Sequence, residues 1–189
     1  MIAPRDERDE LHELLATRAF RWGDFVLASG RRSDYFFDGK QVTLEGRGLF
    51  LAASLMLARC RELELTAVAG DDGVGPLLGA IVALSGSGSE PPLRAFMIRK
   101  ADKQHGTAAK IAGPAPTAGE RIALVDDVVT TGGSVFRALE VLAPAGVEVA
   151  EVLVLVDREE GAAGALAERS LPLHTLFRRS EFSTRAEAG

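Results

Sequence analysis

Apolar residues along this chain follow two spacings, one typical of amphipathic helices and the other of buried strands. Leu11, Leu14 and Leu15 recur at helical intervals and predict a helix over residues 6–19, and a similar pattern predicts a helix over 46–61. From residue 65 onward, short apolar runs alternate with helical patterns. They predict strands over 65–70, 93–98, 121–126, 148–156 and 173–177 and helices over 74–85, 133–143 and 161–169.

This alternation predicts an α/β fold with a mainly parallel, twisted sheet flanked by helices. Before it, the short runs Phe25–Leu27 and Tyr35–Phe37 flank a turn at Ser29–Ser33 and predict a hairpin. We expect one domain over residues 1–189, to which residues 1–45 contribute a small hood above the sheet. Ligands of such sheets bind beyond the carboxyl ends of the strands.

Composition narrows the classes of function. The chain has 189 residues, of which 47% are hydrophobic and 26% charged, and its longest apolar stretch, Leu49–Ala58, is too short to cross a bilayer. The charged residues 5–10 leave no room for an apolar signal region, and the single cysteine, Cys60, excludes an internal disulfide framework. These features predict a cytoplasmic protein. A net charge of −5 argues against nucleic-acid binding.

The most informative segment is Ile122–Ser134. An apolar strand leads to two adjacent carboxylates, Asp126 and Asp127, and then to a hydroxyl- and glycine-rich loop, Thr130–Ser134, that opens a helix. A helix N-terminus offers unpaired backbone N–H groups to a phosphate, and glycines let the anion approach closely. The carboxylates can accept hydrogen bonds from a diol or hold a divalent metal through water. A sugar with a diol and a terminal phosphate would satisfy both halves.

A simpler interpretation of the same segment is a strand–turn–helix connection whose acids only cap the helix. Two other phosphate-binding motifs are excluded, because the segment lacks both the Gly-Lys-Ser/Thr ending of a P-loop and the Gly-x-Gly-x-x-Gly of a dinucleotide site. The capping interpretation and the sugar-phosphate interpretation both stay open from these residues alone.

A basic island interrupts the acidic sequence between residues 99 and 110. It holds four cations against one carboxylate, a local charge of +3 before His105 is counted: Arg99, Lys100, Lys103, Lys110 and Asp102. Such a polar segment is usually a solvated surface loop. It can also be a mobile lid whose cations close over a pyrophosphate and exclude water.

Four segments resemble motifs of the orotate phosphoribosyltransferases, a family of type I phosphoribosyltransferases, and they occur along the chain in the same order as in that family. Ile122–Ser134 is similar to the family's motif for phosphoribosyl pyrophosphate (PRPP), and the Arg-Lys-x-x-Lys-x-His-Gly of Arg99–Gly106 is similar to its catalytic loop. Phe25–Phe37 resembles the N-terminal Phe-x-Leu-x-Ser-Gly and Ser-x-Tyr-Phe motif. Val156–Glu159 resembles the strand end that supplies an arginine to the orotate carboxylate.

The resemblance implies an activity and its partners. Orotate and PRPP would give orotidine 5′-monophosphate and pyrophosphate, with Mg²⁺ as cofactor, as a step of pyrimidine biosynthesis. The enzyme would be a glycosyltransferase of the pentosyltransferase class and a homodimer. Loop 99–110 of one subunit would act in the site of its neighbour, and neither nucleic acid nor a membrane would be a partner.

The resemblance also implies roles for particular residues. Cations of the loop would neutralise or grip the pyrophosphate: Arg99, Lys100, Lys103 and His105. The acid pair would hold the ribose hydroxyls and stabilise the cationic ring. The residues that follow would contact the sugar phosphate: Val128, Val129, Thr130, Thr131, Gly132, Gly133 and Ser134.

Three further residues are implied to contact the base. Arg158 would pair with the orotate carboxylate in a bidentate geometry, which arginine provides better than lysine. Phe36 and Phe37 would line the base pocket, although apolar alternation alone predicts hood core for them equally well.

The chain departs from the family pattern at two places. Ala28 stands where the family commonly has a lysine before Ser-Gly. A contact to the base or to a phosphate is therefore missing, or it comes from Arg31 or Arg32. The loop Gly70–Pro76 stands where the family's pyrophosphate loop often carries a lysine. Here Gly73 and Val74 take the contact positions, and the preceding carboxylates could hold Mg²⁺, repel pyrophosphate or cap the following helix: Asp71 and Asp72.

Two alternative functions stay open at this stage. The altered Gly70–Pro76 loop would suit a PRPP-sensing regulator without catalysis, although the complete set of cations in 99–105 would have no purpose there. A phosphoribosyltransferase for another nucleobase is the second alternative. Arg158 favours a carboxylated base only weakly, because arginines at strand ends often form surface ion pairs.

Overall fold

The N-terminal part of the fold is a helix, a hairpin and two further helices. The computed structural model describes residues 6–26, 30, 32–99 and 110–182. Five elements precede the main sheet: α1 (Glu7–Leu14, continued by a π-helical turn, Leu15–Ala19), β1 (Phe20–Val26), β2 (Arg32–Phe37), α2 (Lys40–Thr43) and α3 (Gly46–Glu62). Strands β1 and β2 pair antiparallel, with a bulge between Trp22 and Phe25.

A six-stranded sheet forms the centre of the molecule. Its strands are β3 (Ala67–Asp71), β4 (Arg94–Ile98), β5 (Ile111–Ala112), β6 (Arg121–Val129), β7 (Glu148–Asp157) and β8 (Leu173–Arg178). Their spatial order is β5-β4-β3-β6-β7-β8, and only β5 runs antiparallel to its neighbour. The connecting helices are α4 (Gly75–Ser85), α5 (Gly133–Leu142) and α6 (Ala162–Ala167).

Helices cover both faces of this sheet. Successive side chains of a strand point to opposite sides, so that each strand contributes core residues to both faces. In β6, Ala123 and Val125 pack on the face covered by α1, α3 and α4. Ile122 and Leu124 pack on the other face, against α5 and α6. Strands buried on both faces are continuous apolar runs, and this is why the sequence pattern identifies them.

The predicted α/β class with a mainly parallel sheet is confirmed. The predicted end of the central strand at Asp126 is wrong, because β7 continues to pair with β6 as far as Val129, opposite Asp157. Helix α2 and strand β5, of four and two residues, were not predicted because segments so short show no period. Within the described residues, no helix is both long and apolar enough to span a membrane.

The lone cysteine is a core residue. Cys60 lies on the buried side of α3 and is a free thiol. Burial raises the pKa of this thiol to about 12, so that it stays protonated at neutral pH. A protonated thiol is a poor nucleophile, and we assign Cys60 to packing alone.

One buried ion pair joins α3 to the sheet and gives a stability prediction. Arg59 donates from Nε and Nη2 to the two carboxylate oxygens of Glu151 on β7, at 2.8 and 2.9 Å, and Glu151 is only 5% exposed. Glu151→Ala is expected to lower the free energy of unfolding by about 2 kcal/mol, because charge-assisted hydrogen bonds are lost and Arg59 loses its buried partner. Equilibrium unfolding in urea measures this change.

The matched control uses the same arginine. Arg59 Nη1 also donates to Glu62 at 2.9 Å, but the side chain of Glu62 is 64% exposed. Glu62→Ala should cost less than about 1 kcal/mol, as exposed pairs do. Equal losses for the two variants would contradict the importance of burial at Glu151.

Candidate active site

The strand order reverses between β3 and β6, and this reversal positions the candidate site. The chain continues from β3 to β4 on one side and returns through β6 on the other. Ligands bind at such switch points in open α/β sheets. Gly70 lets the two strand ends approach each other, since a Cβ there would lie 2.6 Å from both the Val125 carbonyl oxygen and Val74 Cγ2. The carboxyl ends of both strands therefore frame one crevice.

The two predicted carboxylates lie at this crevice but in different surroundings. Because both belong to β6, their side chains project to opposite sides of the strand. Asp126 borders a small cavity of ≈ 20 Å³ together with Gly70 and Ser134, which is room for about one water molecule. Asp127 borders a larger cleft of ≈ 240 Å³ beneath α2. Of the two acids, Asp127 therefore has the larger adjoining space.

Hydrogen bonds distinguish the two acids further. Asp126 accepts from the backbone N–H of Asp127 at 2.9 Å and from the Ser134 hydroxyl at 3.0 Å, one bond on each carboxylate oxygen. This second bond ties the end of the strand to the first turn of α5. Asp127 Oδ2 lies 3.3 Å from Lys40 Nζ of α2, a residue that the sequence analysis did not select.

Burial first, and then the neighbouring charges of Asp127 and Asp71, raise the pKa of Asp126 to about 7 against the opposing bond from Ser134. Asp126 therefore carries a proton over part of the neutral range, whereas an unfolded aspartate would be ionised. A protonated Asp126 reduces the negative charge that an incoming polyanion meets.

The hydroxyl- and glycine-rich loop leads directly into α5. Gly132 has φ of +86°, a left-handed conformation that suits glycine, and its carbonyl accepts from the Phe136 N–H at 3.0 Å. The Thr130 carbonyl accepts from the Ala162 N–H of α6 at 3.0 Å, which fixes the loop to the next element. Thr131 and Gly133 are exposed, so the backbone at the start of α5 is open to an anion.

The valines before this loop belong to the sheet. Val129 is 1% exposed in the core, and its carbonyl accepts from the Arg158 N–H at 3.0 Å. Val128 pairs with Val156 of β7 and is partly buried. Any contact of Val129 with a sugar phosphate would therefore have to come from its backbone.

In the Gly70–Pro76 loop, one carboxylate caps the backbone and the other faces the cleft. Asp71 Oδ1 accepts from the Gly73 N–H at 2.8 Å and caps the turn before α4, as one of the predicted alternatives states. Val74 is 4% exposed, so its side chain is core. Asp72 and Gly73 border the ≈ 240 Å³ cleft with Asp127.

The positions of the acidic side chains indicate which of them could hold Mg²⁺. Among the described residues, no three histidine, cysteine or acidic side chains cluster as a metal cage. Mg²⁺ instead uses one or two carboxylates together with waters and substrate phosphates. Asp72 and Asp127 border one cleft and fit that mode of binding, whereas Asp71 is engaged as a cap.

A third cavity, of ≈ 450 Å³, lies beyond the end of β4. Three cations and two carboxylates border it: Arg99, Lys110, Arg137, Asp71 and Glu140. Arg137 of α5 is a further cation that the sequence analysis did not select. Lys100, Lys103 and His105, predicted to act with Arg99, lie outside the described residues.

The predicted base-binding arginine is partly engaged within the protein. Arg158 donates from Nε to the Tyr35 hydroxyl at 2.8 Å, and its Nη2 lies 2.8 Å from Glu160 Oε1. Its guanidinium also lies 5.1 Å from the centre of the Tyr35 ring. A substrate carboxylate would have to share this guanidinium with Glu160 or displace it.

The two predicted aromatic residues do not share a surface, because adjacent residues of β2 face opposite ways. Phe37 packs on Phe20 with ring centres 4.8 Å apart and lies against Gly39, beside Asp127. Phe36 is 41% exposed and pairs with Phe25 at 5.9 Å. Only Phe37 is near the acid pair.

Three comparisons with known proteins agree with this geometry. Residues 74–167 match the family profile of the phosphoribosyl transferase domain. An orotate phosphoribosyltransferase of Rhodopseudomonas palustris (strain BisB5) is 41% identical over 182 residues, covering 94% of this chain and 97% of that protein.

Two solved structures of orotate phosphoribosyltransferase from Mycobacterium tuberculosis H37Rv are also similar. The first, in complex with Fe(III) dicitrate, has a TM-score of 0.81 at 30% identity and covers 95% of this chain and 100% of its own. The second, in complex with PRPP, has a TM-score of 0.75 at 29% identity and covers 93% and 98%.

Proposed function

We infer that this chain, which belongs to the orotate phosphoribosyltransferase family, transfers the 5-phosphoribosyl group of PRPP to orotate and releases pyrophosphate. The product is orotidine 5′-monophosphate, an intermediate of pyrimidine biosynthesis. The observation that carries the proposal is the arrangement at the switch point. An acid pair, an open cleft and a helix N-terminus meet there in a chain 41% identical to an orotate phosphoribosyltransferase.

The sugar phosphate would bind between the acid pair and α5. Asp127 accepts hydrogen bonds from the ribose diol in the cleft, and the backbone N–H groups of Thr131–Ser134 receive the 5′-phosphate. Asp126 fixes the first turn of α5 through Ser134, at 3.0 Å, and so holds the phosphate loop and the diol acceptor in register. As the bond to pyrophosphate breaks, the ribose ring becomes cationic, and the carboxylate of Asp127 stabilises it.

The leaving group would be stabilised from the other side of the crevice. Negative charge grows on pyrophosphate as it departs, and Arg99 borders the ≈ 450 Å³ cavity into which it would move. We assign Lys100, Lys103 and His105 to the same task from the loop. Bound Mg²⁺ would offset part of the pyrophosphate charge, held through water by Asp72 and Asp127.

Orotate would bind on the hood side of the crevice, between Phe37 and Arg158. Tyr35 supports this assignment, because its hydroxyl and ring hold the Arg158 guanidinium in place. We propose a homodimer in which loop 99–110 serves the neighbouring site, with residues 1–189 as one domain. The cytoplasmic location stays a prediction.

Phosphorus NMR tests the reaction itself. With orotate, PRPP and Mg²⁺, the PRPP signals should be replaced by one nucleoside monophosphate and one pyrophosphate in equal amounts. Slow loss of PRPP to ribose 5-phosphate and pyrophosphate, unchanged by orotate, would contradict transfer to the base.

Arg158→Lys gives a specific prediction for the base site. We expect KM for orotate to rise about tenfold or more, because lysine cannot form the bidentate contact that a guanidinium offers a carboxylate. The Kd for PRPP should change less than about twofold, since Arg158 is assigned to the base alone. Steady-state kinetics and calorimetry measure the two quantities.

The control for this variant is Arg179→Lys. Arg179 also lies over the Tyr35 ring, at 5.1 Å, but its salt bridge is to Asp34 of the hood. It should leave KM for orotate nearly unchanged. An unchanged KM in Arg158→Lys, or an equal rise in both variants, would remove Arg158 from the orotate site.

A further inference from the structure

Lys40 is the described cation closest to the acid that we assign to the ribose. Its Nζ lies 3.3 Å from Asp127 Oδ2, and its side chain is 53% exposed whereas that of Asp127 is 15% exposed. No family motif identified in the sequence includes Lys40. It comes from α2, the short helix directly after the hood strand β2.

The backbone around Lys40 is held in a fixed position. Its own N–H donates to Asp38 Oδ1 at 3.2 Å, and the N–H groups of Val42 and Thr43 donate to the Gly39 carbonyl at 3.0 and 2.9 Å. Val42 and Thr43 are both buried and anchor the helix to the core. Lys40 therefore extends from a rigid turn, and only its flexible stem has to order itself on Asp127.

Close packing also brings this turn to Asp127. A Cβ on Gly39 would lie 3.6 Å from Asp127 Oδ2 and 3.3 Å from Phe37 Cε1. Gly39 thus places α2 directly against the carboxylate and the base-side ring. The same oxygen, Oδ2, faces both Gly39 and the Lys40 ammonium.

The charges around the cleft explain why a cation is needed there. Its charged lining residues in the described structure are Lys40, Asp72 and Asp127, one cation against two carboxylates. The ammonium of Lys40 offsets part of this negative charge and lies nearest to Oδ2 of Asp127.

We propose that Lys40 is a positioning residue for PRPP: it holds Oδ2 of Asp127 in place and leaves Oδ1 for the ribose diol. This proposal rests on the assignment of Asp127 to the ribose in the proposed function. Lys40 acts through Asp127 and does not touch the reacting atoms.

Calorimetric binding of PRPP in the presence of Mg²⁺ tests this proposal without requiring turnover. Lys40→Met should raise Kd for PRPP about fivefold, the scale of one half-exposed ion pair. Lys40→Arg should stay within about twofold of the natural protein, because the cation is retained. In kinetics, KM for PRPP should rise with the Kd while KM for orotate is unchanged.

Arg121→Met is the matched control. Arg121 lies at the opposite end of β6 and pairs with Glu148 at 3.4 Å, with its side chain 44% exposed. It resembles Lys40 in the distance to its acid and in the exposure of the cation, although Glu148 is more exposed than Asp127, and it is far from the cleft. This variant should leave Kd for PRPP unchanged, and both variants should keep their melting temperatures.

A double-mutant cycle with Asp127→Asn separates the proposed action from direct contact with substrate. Lys40→Met should have no further effect on Kd for PRPP once Asp127 has lost its charge. A fivefold effect that persists in the Asp127→Asn background would overturn the proposal, and so would an unchanged Kd in Lys40→Met alone. Because the Kd for PRPP is measured directly, the effect of Lys40→Met on binding does not depend on turnover. Tight PRPP binding without orotate turnover would reject the proposed function, and the test of Lys40 would remain valid.

Discussion

Asp127→Asn is expected to lower kcat/KM for PRPP by about 10²-fold, the scale for a preorganised group that stabilises charge in the transition state. Asparagine keeps the shape and one acceptor oxygen, but it cannot offset the positive charge that develops on the ribose ring. Steady-state kinetics with varied PRPP at saturating orotate measures the effect.

The fold should tolerate this change. Asp127 contacts Lys40, which is half exposed, and its own side chain borders an open cleft, so few contacts of the folded state depend on its charge. The melting temperature of Asp127→Asn is expected to stay within about 2 °C of the natural protein's, since an ion pair with a half-exposed lysine contributes little. Normal kinetics in a well-folded Asp127→Asn enzyme would remove this residue from the site.

Asp126→Asn provides the matched control, because it makes the same chemical change one residue earlier in β6. Asp126 accepts from two donors, the Asp127 N–H and the Ser134 hydroxyl, one on each oxygen. An asparagine has only one acceptor oxygen and leaves one of these donors without its partner. This variant should therefore lose stability as well as activity, whereas Asp127→Asn should lose activity alone.

Lys103→Ala is the second variant with a large expected effect. We expect kcat to fall by about 10²-fold or more, because the lysine is assigned to the charge that grows on the departing pyrophosphate. Ground-state binding of PRPP should weaken much less, since that charge develops in the transition state. Single-turnover kinetics and PRPP calorimetry separate the two contributions.

Lys110→Ala is the control for Lys103→Ala, since it removes a cation from the same basic island. Lys110 borders the ≈ 450 Å³ cavity and its carbonyl accepts from the Arg99 N–H at 2.9 Å. Its loss should cost less than about tenfold in kcat. Unchanged turnover in Lys103→Ala would reject the loop assignment.

The same two variants test whether the loop acts across a dimer. Lys103→Ala subunits keep an intact acid pair, and Asp127→Asn subunits keep an intact loop. A mixed dimer would recover activity at the one site that combines both intact parts. No recovery in a purified, tagged mixed dimer would show that the loop serves its own subunit.

The sequence predicts the parts of this molecule that depend on local pattern. The continuous apolar runs of the central strands identify the parallel sheet, because strands buried on both faces leave such runs. The acid pair, the loop before α5 and the base-side arginine are also visible as motifs. The sequence therefore predicts those site residues that belong to a recognisable local motif.

Other features depend on contacts between distant segments and leave no such pattern. Lys40 meets Asp127 across 87 positions of sequence, and nothing around it distinguishes it from a surface lysine. The partnership of Arg158 with Tyr35 and Glu160 depends in the same way on where the hood folds back. Strand alternation, by contrast, could have predicted from the sequence that Phe36 and Phe37 face opposite ways.

The most direct test of the central claim is absorbance-monitored consumption of orotate with PRPP and Mg²⁺, with uracil, adenine and hypoxanthine assayed in parallel. The account predicts turnover that is selective for orotate, with kcat/KM at least about 10²-fold above that of each other base, because Arg158 would lose its carboxylate partner in the alternatives. Preferred turnover of another base, or PRPP binding without turnover of any of the four, would contradict it.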